Sequence, residues 1–480
     1  MSPAEKRYYK RHYGSSANTL TDLFDVINAQ RVYQEEAVKE AFSGKVATNL
    51  KVYKFQLEQQ LLQSLVSYRY FSNVGSKIRQ GLEQVEILAE RNLIDMALKQ
   101  LEKTKQLCLS YEEFPYLLDI AAKEFQLHFI RLEGFTQKSH PTFEDHQHYL
   151  DILQDLNKLT VLINEISDFV PRSDGLSGEE RTTLKKYLKH PLLVKIHEEA
   201  PLRTTFGIAQ AKGNVHTALG EHEQALSYFE KAVELFQADK NLREHYAYYY
   251  LLALRSSMHS AIRAGNYGVA KKRIEEANQY IAKQKQYVSQ LLYIIRAELE
   301  LSVLTGGSYL KQHQLERRIS RLNRHLPAHQ EGLIEENYVL LAYNLVLLKK
   351  YPEALDYVQM LATGDKDSFS RVQEVTAFLD MIIHFEQDDK KAQKEVLRTH
   401  LVRGTQNDYY DESPVYQAIL DLFEGWAFAK KTPSELAGTV LKAIEKNPED
   451  RVAQQVKGYH LVAWLQSQAE SKPVTSILSV

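Results

Sequence analysis

Apolar residues recur at three- and four-residue intervals along most of this chain, the spacing that lines one face of an α-helix. Leu226, Phe229, Val233 and Phe236 follow it. Ile152, Leu156, Leu159, Ile163 and Ile166 keep a 4,3,4,3 seam suited to paired antiparallel helices. The run from Thr48 to Leu88 carries Tyr53, Phe55, Leu57, Leu61, Leu62, Leu65 and Val66 in its first half. Helices are also predicted over residues 92–107 and from Phe114 to Ile130. Start signals agree with the periodicity. Ser2-Pro3-Ala4-Glu5, Ser177 with Glu180, and Thr432-Pro433-Ser434-Glu435 each read as a capping box, in which a hydroxyl and a glutamate satisfy orphan backbone donors. Gly14 to Asn18 breaks the first helix, and two short amphipathic helices follow, one around Leu20 to Ile27 and one from Tyr33 to Phe42. With only 20 Gly and 12 Pro there are too few tight turns for an all-β fold. The chain reads as all-α.

The segment from Phe206 to Asp239 predicts a helical hairpin. Gly213 lets two helices approach closely, Gly220 lies in the turn, and Ala225 and Ala232 keep the second helix near the first. Such a hairpin cannot bury its own apolar face, so it predicts neighbours. The pattern recurs with drift. Gly265, Tyr267, Ala270, Ile274 and Ala277 repeat it 45 positions on, and Tyr351, Ala354 and Val358 a further 84, which is two steps of 42. A middle copy falls on Gly306-Gly307, with Leu315 and Ile319 in its second helix. Ala392, then Leu436, Val440 and Ala443, continue the series to Asn447-Pro448. The expected architecture is an α-α superhelix of stacked hairpins over 178–480, ending in a capping helix from Arg451 to Gln468. A separate helical part is expected over 1–170, with Val170 to Gly178 as the linker.

The repeats from Phe206 onward resemble a degenerate tetratricopeptide array, with a step longer than the usual ~34 residues. The large residues expected early in each first helix are mostly missing. The first 110 or so residues, from SPAEKRYYKRHYG through LTDLFDVINAQRVYQEEAVKEAF to NLKVYKFQLEQQLLQSLVSYR, are similar to the start of a family of uncharacterised repeat proteins from Bacteroidetes-type bacteria. That second resemblance implies no activity.

Net charge is -2, so the whole-chain balance favours neither nucleic acid nor an anionic membrane. The N-terminus has no apolar core segment and no window approaches a membrane span, so a cytoplasmic protein is expected. Lys6, Arg7, Lys10 and Arg11 among Tyr8, Tyr9 and Tyr13 suit a solvated helix face better than an RNA or membrane contact. The single Cys108 excludes an intrachain disulfide and reads as a small buried residue. The 29 Tyr suit gaps between helices, ring inward and hydroxyl wet.

The densest polar cluster is His140, Glu144, Asp145, His146 and His148. Imidazole and carboxylate together suit a divalent ion, but His146 and His148 point apart on a helix, and the cluster reads better as a capped helix start. His216 and His222 flank the turn and are expected to be solvated. No phosphate loop, HExxH, GxSxG or CxxC occurs. Neither a cofactor nor a metal is expected, and the chain is not read as an enzyme.

What remains is the side that first helices present in a tetratricopeptide stack. Its positions are Gln210, Asn214 and Thr217, then Arg255 and His259, then Glu336 and Tyr343. The resemblance places Asn214 where peptide-clamping members hold a ligand's main chain. Gln210 stands where those members place a carboxylate-binding lysine, so a generic C-terminal-carboxylate clamp is not implied. A solvated surface would carry the same residue types. The leading reading is a scaffold that binds a peptide or helix of a partner protein in this groove. The alternative is a peptide-responsive bacterial regulator of the tetratricopeptide sensor type. A hydrolytic or metal-dependent enzyme centred on His140 to His148 is the third.

Overall fold

A computed structural model describes residues 1–14, 19–30, 33–42, 44–69, 73–131, 141–170, 176–194, 200–282, 287–306, 318, 331–362, 372–388, 390–405, 413–428 and 432–478. The regular structure among them is helical throughout, so the chain is all-α. Among these residues no helix is long and apolar enough to cross a membrane. The chain falls into two compact units, Met1–Gln154 and Asp155–Val480.

The first unit begins with α1 (Pro3–Tyr13), α2 (Thr19–Ala29), α3 (Glu35–Ala41), α4 (Lys45–Thr48) and α5 (Leu50–Arg69). Tyr9, Leu23, Phe24, Val38 and Leu57 gather where α1 and α2 pack on α5. Then α6 (Val74–Glu90), α7 (Ile94–Ser110) and α8 (Phe114–Ile130) stack in order around Ile78, Leu101 and Leu117. Cys108 is buried in that core, and burial, with Glu113 adding to it, pushes its thiol up to about 12. The unit ends inside α9 (Pro141–Ser167), upstream of the predicted linker, of which residues 171–175 lie outside the described ones.

The second unit continues with α10 (Gly178–Tyr187), α11 (Pro191–Val194), α12 (Leu202–Leu219), α13 (His222–Ala238), α14 (Lys240–His245), α15 (Ala247–Arg263), α16 (Tyr267–Ile281) and α17 (Val288–Leu304). After the gap come α18 (Glu331–Leu347), α19 (Tyr351–Ala362), α20 (Gln373–Glu386), α21 (Lys390–Thr405), α22 (Pro414–Ala427) and α23 (Pro433–Lys446). Strong contacts run from each helix to the next, as in α12–α13, α13–α15, α15–α16 and α16–α17, and on through α18 to α23. All three predicted capping boxes are formed, at Ser2, Ser177 and Thr432.

The hairpin read from the sequence is present as α12 and α13. A Cβ at Gly213 would lie 2.3 Å from the Phe229 ring, so only glycine permits this approach. Turn residues in the left-handed region end α12, α15, α17, α18 and α20: Gly220, Gly265, Gly306, Lys349 and Asp388. They are 45, 41, 43 and 39 positions apart, so the step seen in the sequence is also a step in backbone conformation. Leu315 and Ile319 lie outside the described residues.

Two amides fasten α17 to α18. Asn337 and Asn344 are fully buried, seven apart, and each donates to its own helix and across, Asn337 to the Leu292 carbonyl and Asn344 to that of Leu299. Tyr343, expected on the groove, is instead buried in the core. The reason is that this stretch of α18 is enclosed on every side: Leu340, Leu341, Ala342 and Leu345 are buried around it, and so is Asn344.

The predicted final helix is two, α24 (Arg451–Gly458) and α25 (Val462–Glu470), followed by α26 (Val474–Leu478). His460, with φ 62°, turns the chain between the first two. α25 packs on α23, and α24 returns to α20, where Gln455 Nε2 donates to Glu374 at 2.7 Å and Gln455 Oε1 accepts from the Val375 N–H at 3.0 Å.

Candidate functional site

A row of polar side chains crosses the first helices of the second unit. It starts at the end of α9, where Ser167 Oγ accepts from Asn214 Nδ2 at 3.1 Å. On α12, Gln210 is buried; its Nε2 donates to Asn214 Oδ1 at 3.2 Å and to Ser256 Oγ of α15 at 3.0 Å. One residue before Ser256, the Arg255 guanidinium lies 3.3 Å from the ring centroid of Tyr293 on α17. One turn further along α15, His259 Nδ1 is 3.5 Å from Glu300 Oε2 of α17. Arg296 donates to Glu300 Oε1 at 2.9 Å and also to Glu336 of α18. The chain's C-terminal return closes this end, with the ring of Tyr459 6.0 Å from the Arg296 guanidinium.

Of the groove residues expected from the sequence, Gln210, Asn214, Arg255, His259 and Glu336 are therefore joined in one row. Thr217 is not: its hydroxyl donates back to the Gly213 carbonyl at 2.8 Å. Sequence reading missed Ser256, Tyr293, Arg296, Glu300, Tyr459 and His460. A signal for two of them existed, because one further step of 41 from Arg255 and His259 lands on Arg296 and Glu300.

The row's electrostatics follow from burial set against pairing. Burial works against the charge of Glu300, yet Arg296, His259 and His460 hold its carboxyl far below the usual range. Burial likewise opposes charge on Arg296, but Glu300 and Tyr459 leave its value raised. Arg255 is lowered, by burial first and by the neighbouring charge of Arg296, with Tyr293 only partly offsetting this. Tyr459 is pushed up to about 12, mainly by burial. Both imidazoles are lowered by burial, which outweighs the pull of Glu300; Arg255 and Arg296 add to this at His259, and Arg296 and Arg263 at His460.

A pH dependence follows. A histidine whose folded value lies below its unfolded value of about 6.5 stabilises the fold fully above that pH, and the contribution is lost as pH falls towards the folded value. The row is therefore expected to lose stability from about pH 6.5 downward, by up to ~1.4 kcal/mol per pH unit for each imidazole. Urea midpoints measured between pH 7.5 and 5.5 should fall less in a His259→Gln/His460→Asn variant, where asparagine tolerates the left-handed turn. Equal slopes in the two proteins would contradict the assignment.

The other candidates are engaged elsewhere. Lys105 pairs with Asp145 at 2.7 Å and Glu124 at 3.2 Å, so Asp145 of the histidine-rich cluster serves an ion pair. His140 lies outside the described residues. Among the described residues no group of three His, Cys, Asp or Glu is placed to hold a metal. His216, expected to be solvated, stacks on Tyr228 at 5.4 Å and bonds Glu221 at 2.6 Å, which removes most of it from water. No family model matches the chain, and no curated protein matches it.

Proposed function

We propose that the second unit is a tetratricopeptide-like superhelical stack that acts as a non-enzymatic scaffold, binding an acidic peptide or helix of a partner protein along the row Gln210–Asn214–Arg255–His259. Support for the stack comes from side-chain bonds that join successive hairpins at a near-constant sequence step, as in Gln210–Ser256, Glu230–Arg273, Asn344–Leu299 and Arg296–Glu336. A stack of this kind is preorganised, so binding costs little ordering entropy.

One observation carries the binding role. Arg296, Glu300 and Glu336 are paired with one another, whereas Arg255 has only the Tyr293 ring and, among the described residues, no carboxylate partner. A half-buried guanidinium beside a second arginine favours an incoming carboxylate. Exposed Tyr248 acts on the same guanidinium and suits a peptide's apolar groups, while Gln210 and Asn214, bonded to each other and to Ser256 and Ser167, hold the neighbouring stretch of the row in place.

The test is selection of a phage-displayed peptide library on the purified protein. Selected peptides should be rich in Asp and Glu, and Arg255→Gln should weaken them at least tenfold without changing the melting temperature. Peptides held equally well by the Arg255→Gln and Asn214→Ala variants would remove the row from the binding surface.

A further inference from the structure

Helix α5 is buried the wrong way round for an ordinary amphipathic helix. It packs on α1 and α2 through Tyr53, Leu57 and Leu61, and its buried Leu57 and Ser64 are seven apart. The opposite side carries Val52, Phe55, Leu62 and Val66, exposed by 53, 61, 50 and 61%. With Gln59 these positions run 3,4,3,4 along the helix, the spacing of a coiled-coil seam. Apolar residues exposed singly need no explanation, but four in one line do.

We propose that α5 is a dimerisation helix through which two copies of this chain pair in parallel and in register. This is independent of what the polar row binds. The seam itself names the occupant. Valine stands at both outer a-type positions, and Phe55 and Leu62 stand at the d-type positions, the distribution that favours two parallel strands. Gln59 occupies the central a-type layer. A second copy of the same helix centred on this residue sets a second glutamine against it, whereas a shifted register would bury its amide against apolar side chains; the valines at the a-type positions favour the parallel pair. The flanks agree, since Lys51 would face Gln56 of the second copy and Glu58 its Gln63, with no like charges opposed.

The four exposed side chains bring about 800 Å² to such a pair, below the ~1,200 Å² at which stable interfaces begin, so the dimer is expected to be weak and to dissociate in the micromolar range. Sedimentation velocity of the full chain between about 1 and 100 μM should show the mass rising from one copy towards two. Phe55→Glu with Leu62→Glu, both on the bare side, should leave the helical circular dichroism unchanged and weaken pairing at least tenfold.

Orientation can be read from cysteine cross-linking, because the natural Cys108 is buried. Oxidised Gln59→Cys should form an interchain disulfide, and so should Val52→Cys and Val66→Cys, each with its own copy. A chain that stays monomeric overturns the proposal and leaves the seam to a helix of another protein. A dimer untouched by the two glutamates overturns it as well. Cross-links only between mixed Val52→Cys and Val66→Cys chains would replace the parallel arrangement with an antiparallel one.

Discussion

Replacing Arg273 with methionine is expected to cost the second unit about 3–5 kcal/mol at pH 8. The side chain is 3% exposed and ties three helices together. Its Nε and a terminal nitrogen hold both oxygens of Glu230 on α13, at 2.8 and 2.7 Å, and the other terminal nitrogen holds Glu276 at 2.7 Å. Ser257 of α15 donates to Glu230 at 2.5 Å, Gln237 donates to Glu276 at 2.6 Å, and the Tyr250 hydroxyl completes the group. Burial alone would raise both carboxyls, but the Arg273 bonds, with Ser257 at one site and Tyr250 and Gln237 at the other, hold them below the usual range. Methionine fills the space and removes the charge, leaving two partly buried carboxylates without the guanidinium that bonds both, and only Lys272 still acting on Glu230.

The sign of the pH response separates this account from simple loss of packing. In the native chain the depressed carboxyls stabilise the fold above the unfolded value of about 4.3, and that stability is lost as pH falls through their folded values. In the variant burial is opposed only by Lys272 and the remaining Ser257, Tyr250 and Gln237 bonds, so the carboxyls' folded values rise. The folded variant takes up protons sooner than the native chain, and the loss relative to the native chain shrinks as pH falls from 8 towards 5. Urea midpoints at these two pH values are the measurement. A loss under ~1 kcal/mol at pH 8, or a loss that grows on acidification, would show that the network does not act as described.

What the sequence disclosed, and what it hid, divides along a physical line. Gly220, Gly265 and Gly306 were legible as turns because a left-handed turn selects glycine, and Gly213 because close helix approach excludes a side chain. Lys349 and Asp388 adopt the same turn with no compositional sign, so the hairpins they end had to be inferred from Tyr351, Ala354 and Ala392. The polar row was partly countable: Arg255 and His259 follow from Gln210 and Asn214 by one repeat step. Tyr459 and His460 were not countable, since a segment that folds back over 160 residues of sequence to Arg296 leaves no local trace. Periodicity also failed at α5 for a definite reason. That helix has two apolar stripes, one through Leu57 and Leu61 and one through Val52, Phe55, Leu62 and Val66, and spacing cannot say which faces the core.

The C-terminal return should be the second place where a single truncation is severe: Trp464→Ala is expected to cost about 3–5 kcal/mol. Trp464 is 1% exposed and stands among aromatic rings from two first helices, with Phe378 of α20 at 5.9 Å and Phe423 and Trp426 of α22 at 6.0 and 6.4 Å. Phe385 joins the group through Phe423 at 4.7 Å. The indole Nε1 donates to Glu386 Oε1 at 2.8 Å, so its polar edge is satisfied where the ring is buried. Trp464→Phe separates the two contributions. It keeps a ring in the cluster and removes only the donor, and Glu386 retains Gln468 at 3.4 Å, so the expected loss is about 1–2 kcal/mol. Both tryptophans of the chain lie in this cluster, which makes intrinsic fluorescence a direct readout, and in either variant Trp426 alone reports it. If the return is held as described, Trp464→Ala should shift the Trp426 emission to the red and speed hydrogen exchange in both α20 and α25. A change confined to α25 would mean that the C-terminal helices rest on the first helices without stabilising them.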